Sequence, residues 1–463
     1  MVNRITLFSL SLLLLGLAGC SKSYKRTATY FGGKITNPKS DNVILYSMDK
    51  AIDTFFIDKN NKFIGALNDI EEGLFYFVHG NENQYIYLEP LDSLVLSLNT
   101  WEFDESLVFS GDGAERNNIL IDCFLQFEKD KKLFYNYNGL TSKDFKNKVD
   151  SLITLKQNTY LEYAENHPNE TDNFKNILKV ALTFPIYSRI ESYPNSHAKK
   201  MNINEFPKTP NSFYNFREDI DRNDESLMYY SPYTNYINKY LYNITYAKGH
   251  KPMQQKFSSE FTVDLLKTID DNIDSEISKN AFLKQTLVSH FYSKSTCEVN
   301  TEEFEVFFEL SSNEEDKNII RKLLEDNSVV HTNHEISNFT IKDFNNTNQQ
   351  IHSIIKDKNS FLLFWNPEYI SKQYIRSRIN FLETRYPKIQ FLTFRIDGNK
   401  NDIIEKLNIK NQFYIDSSSD ANKFLTSKMT RTILINKDGI VTNGYASISS
   451  KNVYPALETL SKY

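Results

Sequence analysis

Three cysteines are the residues in this 463-residue chain with the broadest chemical reach: Cys20, Cys123 and Cys297. A thiolate can attack a disulfide, hold a metal or carry an acyl group, and spacing decides among these. No two of the three form a CxxC pair, so neither a zinc knuckle nor a redox dithiol is encoded locally. Cys123 sits in the apolar run Ile119-Leu120-Ile121-Asp122-Cys123-Phe124-Leu125 and reads as a small buried hydrophobe. Cys297, in Ser295-Thr296-Cys297-Glu298, reads as more exposed, and a Cys123–Cys297 disulfide is left open because it depends on geometry. The pair His331 and His334 offers two imidazoles without a carboxylate or thiol beside them in sequence, the composition of a linker and not of a metal site. No metal and no organic cofactor is expected: G-x-S-x-G, H-E-x-x-H, P-loop and dinucleotide-binding glycine patterns are all missing from the sequence. Ser110-Gly111-Asp112-Gly113 reads as a loop and not a phosphate cradle.

Cys20 differs from the other two in its surroundings. Arg4 precedes an apolar run over 5–18, which is short for a bilayer span, and the run ends in Leu17-Ala18-Gly19-Cys20 followed by the polar Ser21-Lys22-Ser23. This resembles the lipobox of bacterial lipoprotein signal peptides. The resemblance implies cleavage before Cys20, diacylation of its sulfur and a membrane partner reached through that lipid. Residues 1–19 are then a signal peptide and 20–25 a tether. Ser21 is not the aspartate that retains lipoproteins of this type at the inner membrane, which places the expected product in the cell envelope, on the periplasmic face of the outer membrane. The net charge of −5 argues against a nucleic-acid partner.

At 463 residues, with 40% hydrophobic and 24% charged residues, the chain is globular and long enough for several cores. The reading is multidomain α+β. Over 26–113, short alternating runs at 28–31, 42–47, 51–57, 62–66, 74–79, 84–88, 93–98 and 107–110 are separated by turn clusters such as Asp58-Lys59-Asn60-Asn61 and His79-Gly80-Asn81, the pattern of an antiparallel β-sandwich or a small barrel. Gly33-Lys34-Ile35, Asp53-Thr54-Phe55-Phe56-Ile57, Tyr87-Leu88-Glu89-Pro90 and Phe109-Ser110-Gly111 resemble the β-domain that precedes thioredoxin-like domains in bacterial envelope lipoproteins. Over 114–330 the period becomes helical, with Ser231 as an N-cap and Pro232 in the first turn ahead of the stripe Tyr233, Tyr236, Ile237, Tyr240, Leu241, Ile244. That stripe reads as core. The Pro-, Asn- and Ser-rich stretch 193–216 reads as a long irregular connection.

From 331 to 463 strands and helices alternate. The apolar strand 361–365 precedes a helix expected over 367–386, started by Asn366 as N-cap and Pro367 in its first turn. A strand at 389–396, a short helix at 402–407, strands at 432–435 and 440–446 joined by Asn436-Lys437-Asp438-Gly439, and a helix at 452–461 complete the region. Phe364-Trp365, Ile396-Asp397 and Thr432-Ile433-Leu434-Ile435-Asn436-Lys437-Asp438-Gly439 resemble the thioredoxin fold, in particular the TlpA-like membrane-anchored thiol:disulfide oxidoreductases and related redoxins. In that family a dithiol follows Phe-Trp and faces a cis-proline. Here the matching stretch is Tyr369-Ile370-Ser371-Lys372, so Tyr369 and Lys372 stand at degenerate redox positions, and Thr430 stands near the proline's place. Neither a phenol nor an ammonium forms a mixed disulfide. A non-proline cis bond costs about 3 kcal/mol, so a trans peptide is expected at Thr430. No catalytic residue is assigned. The resulting expectation is a lipid-anchored protein whose redox-inactive thioredoxin-like domain has a binding or scaffold role. Two rivals are a thiol oxidoreductase using Cys123 or Cys297, and an accessory subunit of a surface nutrient-handling complex.

Overall fold

The computed structural model describes residues 27–252, 258–294, 301–399, 409–449 and 451–462. The expected leader and tether, Cys20, Cys297 and the short helix at 402–407 lie outside the described residues. Among those described, no helix is long and apolar enough to cross a membrane. The chain divides into two compact units, 1–125 and 126–463.

Eight strands build the first unit: β1 (Thr29–Thr36), β2 (Asn42–Ser47), β3 (Lys50–Phe56), β4 (Lys62–Leu67), β5 (Gly73–His79), β6 (Glu82–Leu88), β7 (Ser93–Asn99) and β8 (Val108–Gly111). They form two four-stranded sheets, ordered β4-β1-β7-β8 and β3-β2-β5-β6. Alternation decides which side chains meet. Phe31 and Ile35 of β1, Leu94, Leu96 and Leu98 of β7, and Val43, Leu45, Phe77 and Ile86 of the other sheet share one apolar core. Burying each such side chain contributes roughly 1.5–3 kcal/mol. The Asp58 turn is held as its composition suggests, since Asp58 Oδ1 accepts from the amides of Asn60 and Lys62, each at 2.8 Å. One pairing departs from the antiparallel expectation: β1 and β7 run parallel. Parallel neighbours need a long crossover, and the five intervening strands supply it. At Gly33 the strands approach so closely that a Cβ would lie 2.4 Å from the Leu96 carbonyl oxygen.

The second unit opens with helices: α1 (Ala114–Tyr137, which begins in the first unit), α2 (Ser142–Asn166), α3 (Asp172–Met201), α4 (Ser231–Tyr246), α5 (Ser259–Asn272), α6 (Glu276–Lys294), α7 (Glu302–Leu310) and α8 (Glu314–Val329). The irregular connection expected over 193–216 begins later than its composition suggests. α3 continues through Pro185 and Pro194 to a left-handed cap at Asn202, and irregular chain occupies 202–210. Each proline within a helix costs about 3 kcal/mol. Packing outweighs that cost: Tyr193 is fully buried, stacks on Phe145 at 4.0 Å and donates to the Leu140 carbonyl at 2.7 Å. The Tyr233–Leu241 stripe is buried as expected, but the cap of α4 is Tyr230, with Ser231 already inside the helix.

The C-terminal part is a seven-stranded sheet built from β9 (Thr340–Lys342), β10 (Asn348–Gln350), β11 (Ser360–Trp365), β12 (Gln390–Arg395), β13 (Gln412–Tyr414), β14 (Arg431–Ile435) and β15 (Val441–Ala446). Its order is β10-β9-β13-β12-β11-β14-β15, with β11, β12 and β13 parallel and β14 and β15 antiparallel to their neighbours. β11 is buried along its whole length because both faces of the sheet are covered. On one face lie α10 (Lys372–Arg385) and α11 (Val453–Leu460), through Ile375, Ile379, Leu382 and Leu457. The other face packs α9 (Ile351–Ile355) together with Phe339 and Phe424. The β14–β15 turn places Gly439 at φ +80°, and Asn436 Oδ1 accepts from the amides of Asp438 and Ile440.

Candidate binding cleft

Strand β11 delivers the chain to Trp365 at the sheet's end, and the next six residues do not form the expected helix. Asn366 Oδ1 accepts from the Glu368 amide at 3.2 Å, and the Asn366 carbonyl accepts from the amides of Tyr369 and Ile370. Asn366 therefore caps one turn only. Helix α10 begins at Lys372, where the Ser371 hydroxyl accepts from the Tyr374 amide at 3.2 Å. The expected start at Pro367 is corrected: two capping residues compete five positions apart, and the second controls the helix. Tyr369 is consequently carried on the turn, 45% exposed, and not on the helix.

Opposite this turn runs the segment before β14. It is pinned from α8 by Asp326, whose buried carboxylate accepts four hydrogen bonds, from the amides and hydroxyls of Thr426 and Ser427, at 2.6–2.9 Å. Arg431, also buried, donates to the carbonyls of Asp326, Phe424 and Gly444 and lies 4.7 Å over the Tyr445 ring. These bonds fix where Met429 and Thr430 stand. Among the described residues no peptide bond is cis, so the Thr430 linkage is trans.

Between the two segments lies a cleft of about 620 Å³, lined by Tyr369, Ile370, Ser371 and Tyr374 on one side and by Met429, Thr430 and residues 446–449 on the other. Its third wall is α6, through Val288, Ser289 and Tyr292. The Tyr292 hydroxyl donates to the Thr430 carbonyl at 2.7 Å. Burial holds the Tyr292 phenol well above its ordinary pKa, with Tyr445 and Tyr369 adding to the effect, so it remains a protonated donor at neutral pH. A second hollow of about 660 Å³ continues along α6 and shares Val288, Tyr369 and Met429 with the first. Next to Met429 in sequence, Lys428 pairs with Asp397 at 2.5 Å, and this partnership raises the lysine pKa.

Of the positions singled out in the sequence, Tyr369 and Thr430 meet in this cleft. Lys372 starts α10 but does not line it. Cys123 lies on α1 and is half-buried, not the fully buried hydrophobe expected. The His331 and His334 rings stand 5.6 Å apart, and no group of three or more metal-ligating side chains occurs among the described residues. Sequence reasoning missed Tyr292 and its helix. The hydrogen bond it makes spans 138 residues, and nothing in the local pattern of α6 distinguishes that tyrosine from a core residue.

A mixed sheet in which the strand leading into the site is flanked by a parallel strand on one side and an antiparallel hairpin on the other, with helices on both faces, defines a thioredoxin-like fold for the C-terminal region. The chain as a whole is α+β. Among solved structures, a thiol:disulfide interchange protein from Bacteroides sp. is 16% identical with a TM-score of 0.24, and the match covers 29% of this chain and 93% of that one. The thioredoxin domain of a thiol-disulfide oxidoreductase from Bacteroides vulgatus is 17% identical with a TM-score of 0.23, covering 28% and 97% respectively. No protein-family model and no curated protein matches the chain.

Proposed function

We propose that this protein is a cell-envelope lipoprotein, anchored through a lipidated Cys20 on the periplasmic face of the outer membrane, whose thioredoxin-like region binds a partner and does not exchange thiols. One observation carries the binding half of the reading. At the place where a thioredoxin-like enzyme would set its dithiol against a cis-proline, the cleft presents Tyr369, Ser371, Tyr374, Met429, Thr430 and Tyr292. These groups donate and accept hydrogen bonds and cover apolar surface, but none can form a mixed disulfide. The cleft is thus suited to recognition. Its wall α6 comes from the helical region, so that region completes the binding surface.

The redox half of the reading is tested by insulin reduction with dithiothreitol as donor. No turnover above the uncatalysed rate is expected for the wild type, Cys123→Ser or Cys297→Ser, and turnover abolished by either substitution would overturn it. Anchoring is tested separately by labelled palmitate in growing cells: incorporation should vanish in Cys20→Ser, and label surviving that change would refute the assignment.

A further inference from the structure

The sheet β4-β1-β7-β8 has one face in the core and one in solvent, and the solvent face has an unusual composition. Register places Ile64 of β4, Gly32 of β1 and Val95 of β7 in one row, and Lys62, Lys34, Ser97 and Val108 in the next. Ile64 is 72% exposed, Val108 57% and Val95 40%. Gly32, lacking a side chain, leaves the centre of the face flat. The outward positions of the four strands carry Lys34 and Lys62 and no carboxylate, in a chain where acidic residues outnumber basic ones 59 to 54.

The chain leading into this face determines what can cover it. β1, a central strand of the sheet, starts at Thr29, and eight residues, Ser21 to Ala28, separate it from Cys20. At full extension they reach roughly 28 Å, while four strands span about 14 Å. These residues include Lys22, Lys25 and Arg26. A lipid on Cys20 would hold the face within one sheet's width or two of a bilayer. There, apolar side chains flanked by lysines match acyl chains beneath anionic headgroups.

We propose that this outer face is a membrane-docking surface for anionic bilayers, seating Ile64, Val95 and Val108 at the headgroup boundary with Lys34 and Lys62 on the lipid phosphates. The proposal rests on the anchoring of Cys20 only for bringing the face to a bilayer. The affinity of the face itself is measurable without the lipid.

The test is vesicle co-sedimentation of the unlipidated mature chain, residues 20–463 with Cys20→Ser, on phosphatidylcholine vesicles with and without about 30% phosphatidylglycerol. Binding to the anionic vesicles, falling with added salt, is expected. Lys34→Glu with Lys62→Glu should weaken it by at least about 25-fold, and Ile64→Ser with Val95→Ser by at least about tenfold. All four positions are exposed, so circular dichroism should be unchanged. No binding to anionic vesicles, or binding indifferent to both pairs of substitutions, would overturn the proposal. Failure of palmitate labelling at Cys20 would remove the anchor and leave the vesicle result standing, so the two readings fail separately.

Discussion

Each of the two units combines an apolar core with buried polar contacts, Asp92 with Arg116 in the first and Asp326 with Thr426 and Ser427 in the second, and they differ in what those polar contacts hold. In the β-sandwich the interior is an apolar cluster drawn from both sheets, in which Phe31 meets Phe55, Phe63 and Phe77 at ring separations of 5.5–5.9 Å. The second unit has apolar cores as well, and in it buried carboxylates also tie helices to irregular segments distant in sequence. Glu191 of α3 takes Arg217 in a two-pronged pair at 2.8 and 2.5 Å and a third bond from Asn243. Asp326 of α8 clamps Thr426 and Ser427, about a hundred residues further along the chain. Apolar burial is non-directional, so a sandwich tolerates approximate placement. A carboxylate with four donors is directional and holds one placement of the loop it grips. The second kind of contact is what builds a cleft.

Four measurements can break or sharpen that contrast. Phe31→Ala should have the largest effect, about 4 kcal/mol off the first unit's stability from lost transfer energy and the cavity left behind, read as a urea midpoint by circular dichroism. Asp326→Ala should cost about 3 kcal/mol, because it leaves buried donors without their acceptor. Fluorescence of Trp365 in a Trp101→Phe background reports this change, since these are the chain's two tryptophans. A cost below about 0.5 kcal/mol, the level of an ordinary surface change, would end the argument that the clamp fixes the cleft. Ser371→Ala should cost about 1 kcal/mol as the loss of a true helix cap, and Asn366→Ala less. The reverse ranking by thermal melting would restore the helix start at Pro367.

The smallest effect concerns pH. Lys342, at 2.5 Å, and then Ser418 hold the Asp416 carboxyl below its ordinary pKa. A depressed folded-state value means that the pair's contribution is fully present above the unfolded carboxyl pKa and is lost as pH falls through the folded value. Lys342→Met should therefore flatten the acid limb of the second unit's stability curve as pH falls through and below the ordinary carboxyl range, with no change near neutrality beyond the lost pair itself.

Legibility in the sequence divides along the same line. Strands β2 to β8 begin within two residues of the apolar runs that mark them, and the Asp58 and Asn436 turns form as their residues suggest, because alternation and turn chemistry are local. The helical course of α3 beyond Tyr193 is hidden because Pro194, Asn195 and Ser196 weigh heavily in a local pattern and the burial that outweighs them is not local. The start of α10 is hidden because Asn366 and Ser371 are both competent caps and sequence does not rank them.

By itself, then, the sequence determined the strand pattern of the first unit, the α/β alternation of the last region and the absence of any CxxC, since each depends on residue type and short-range spacing. Tertiary structure alone decided that β1 and β7 pair in parallel, that Tyr369 stands opposite Thr430, and that Tyr292 closes the cleft by donating to a carbonyl 138 residues away. Those three depend on which distant segments the fold brings together. Each partner is set by the whole fold, and the pattern around any one residue does not contain it.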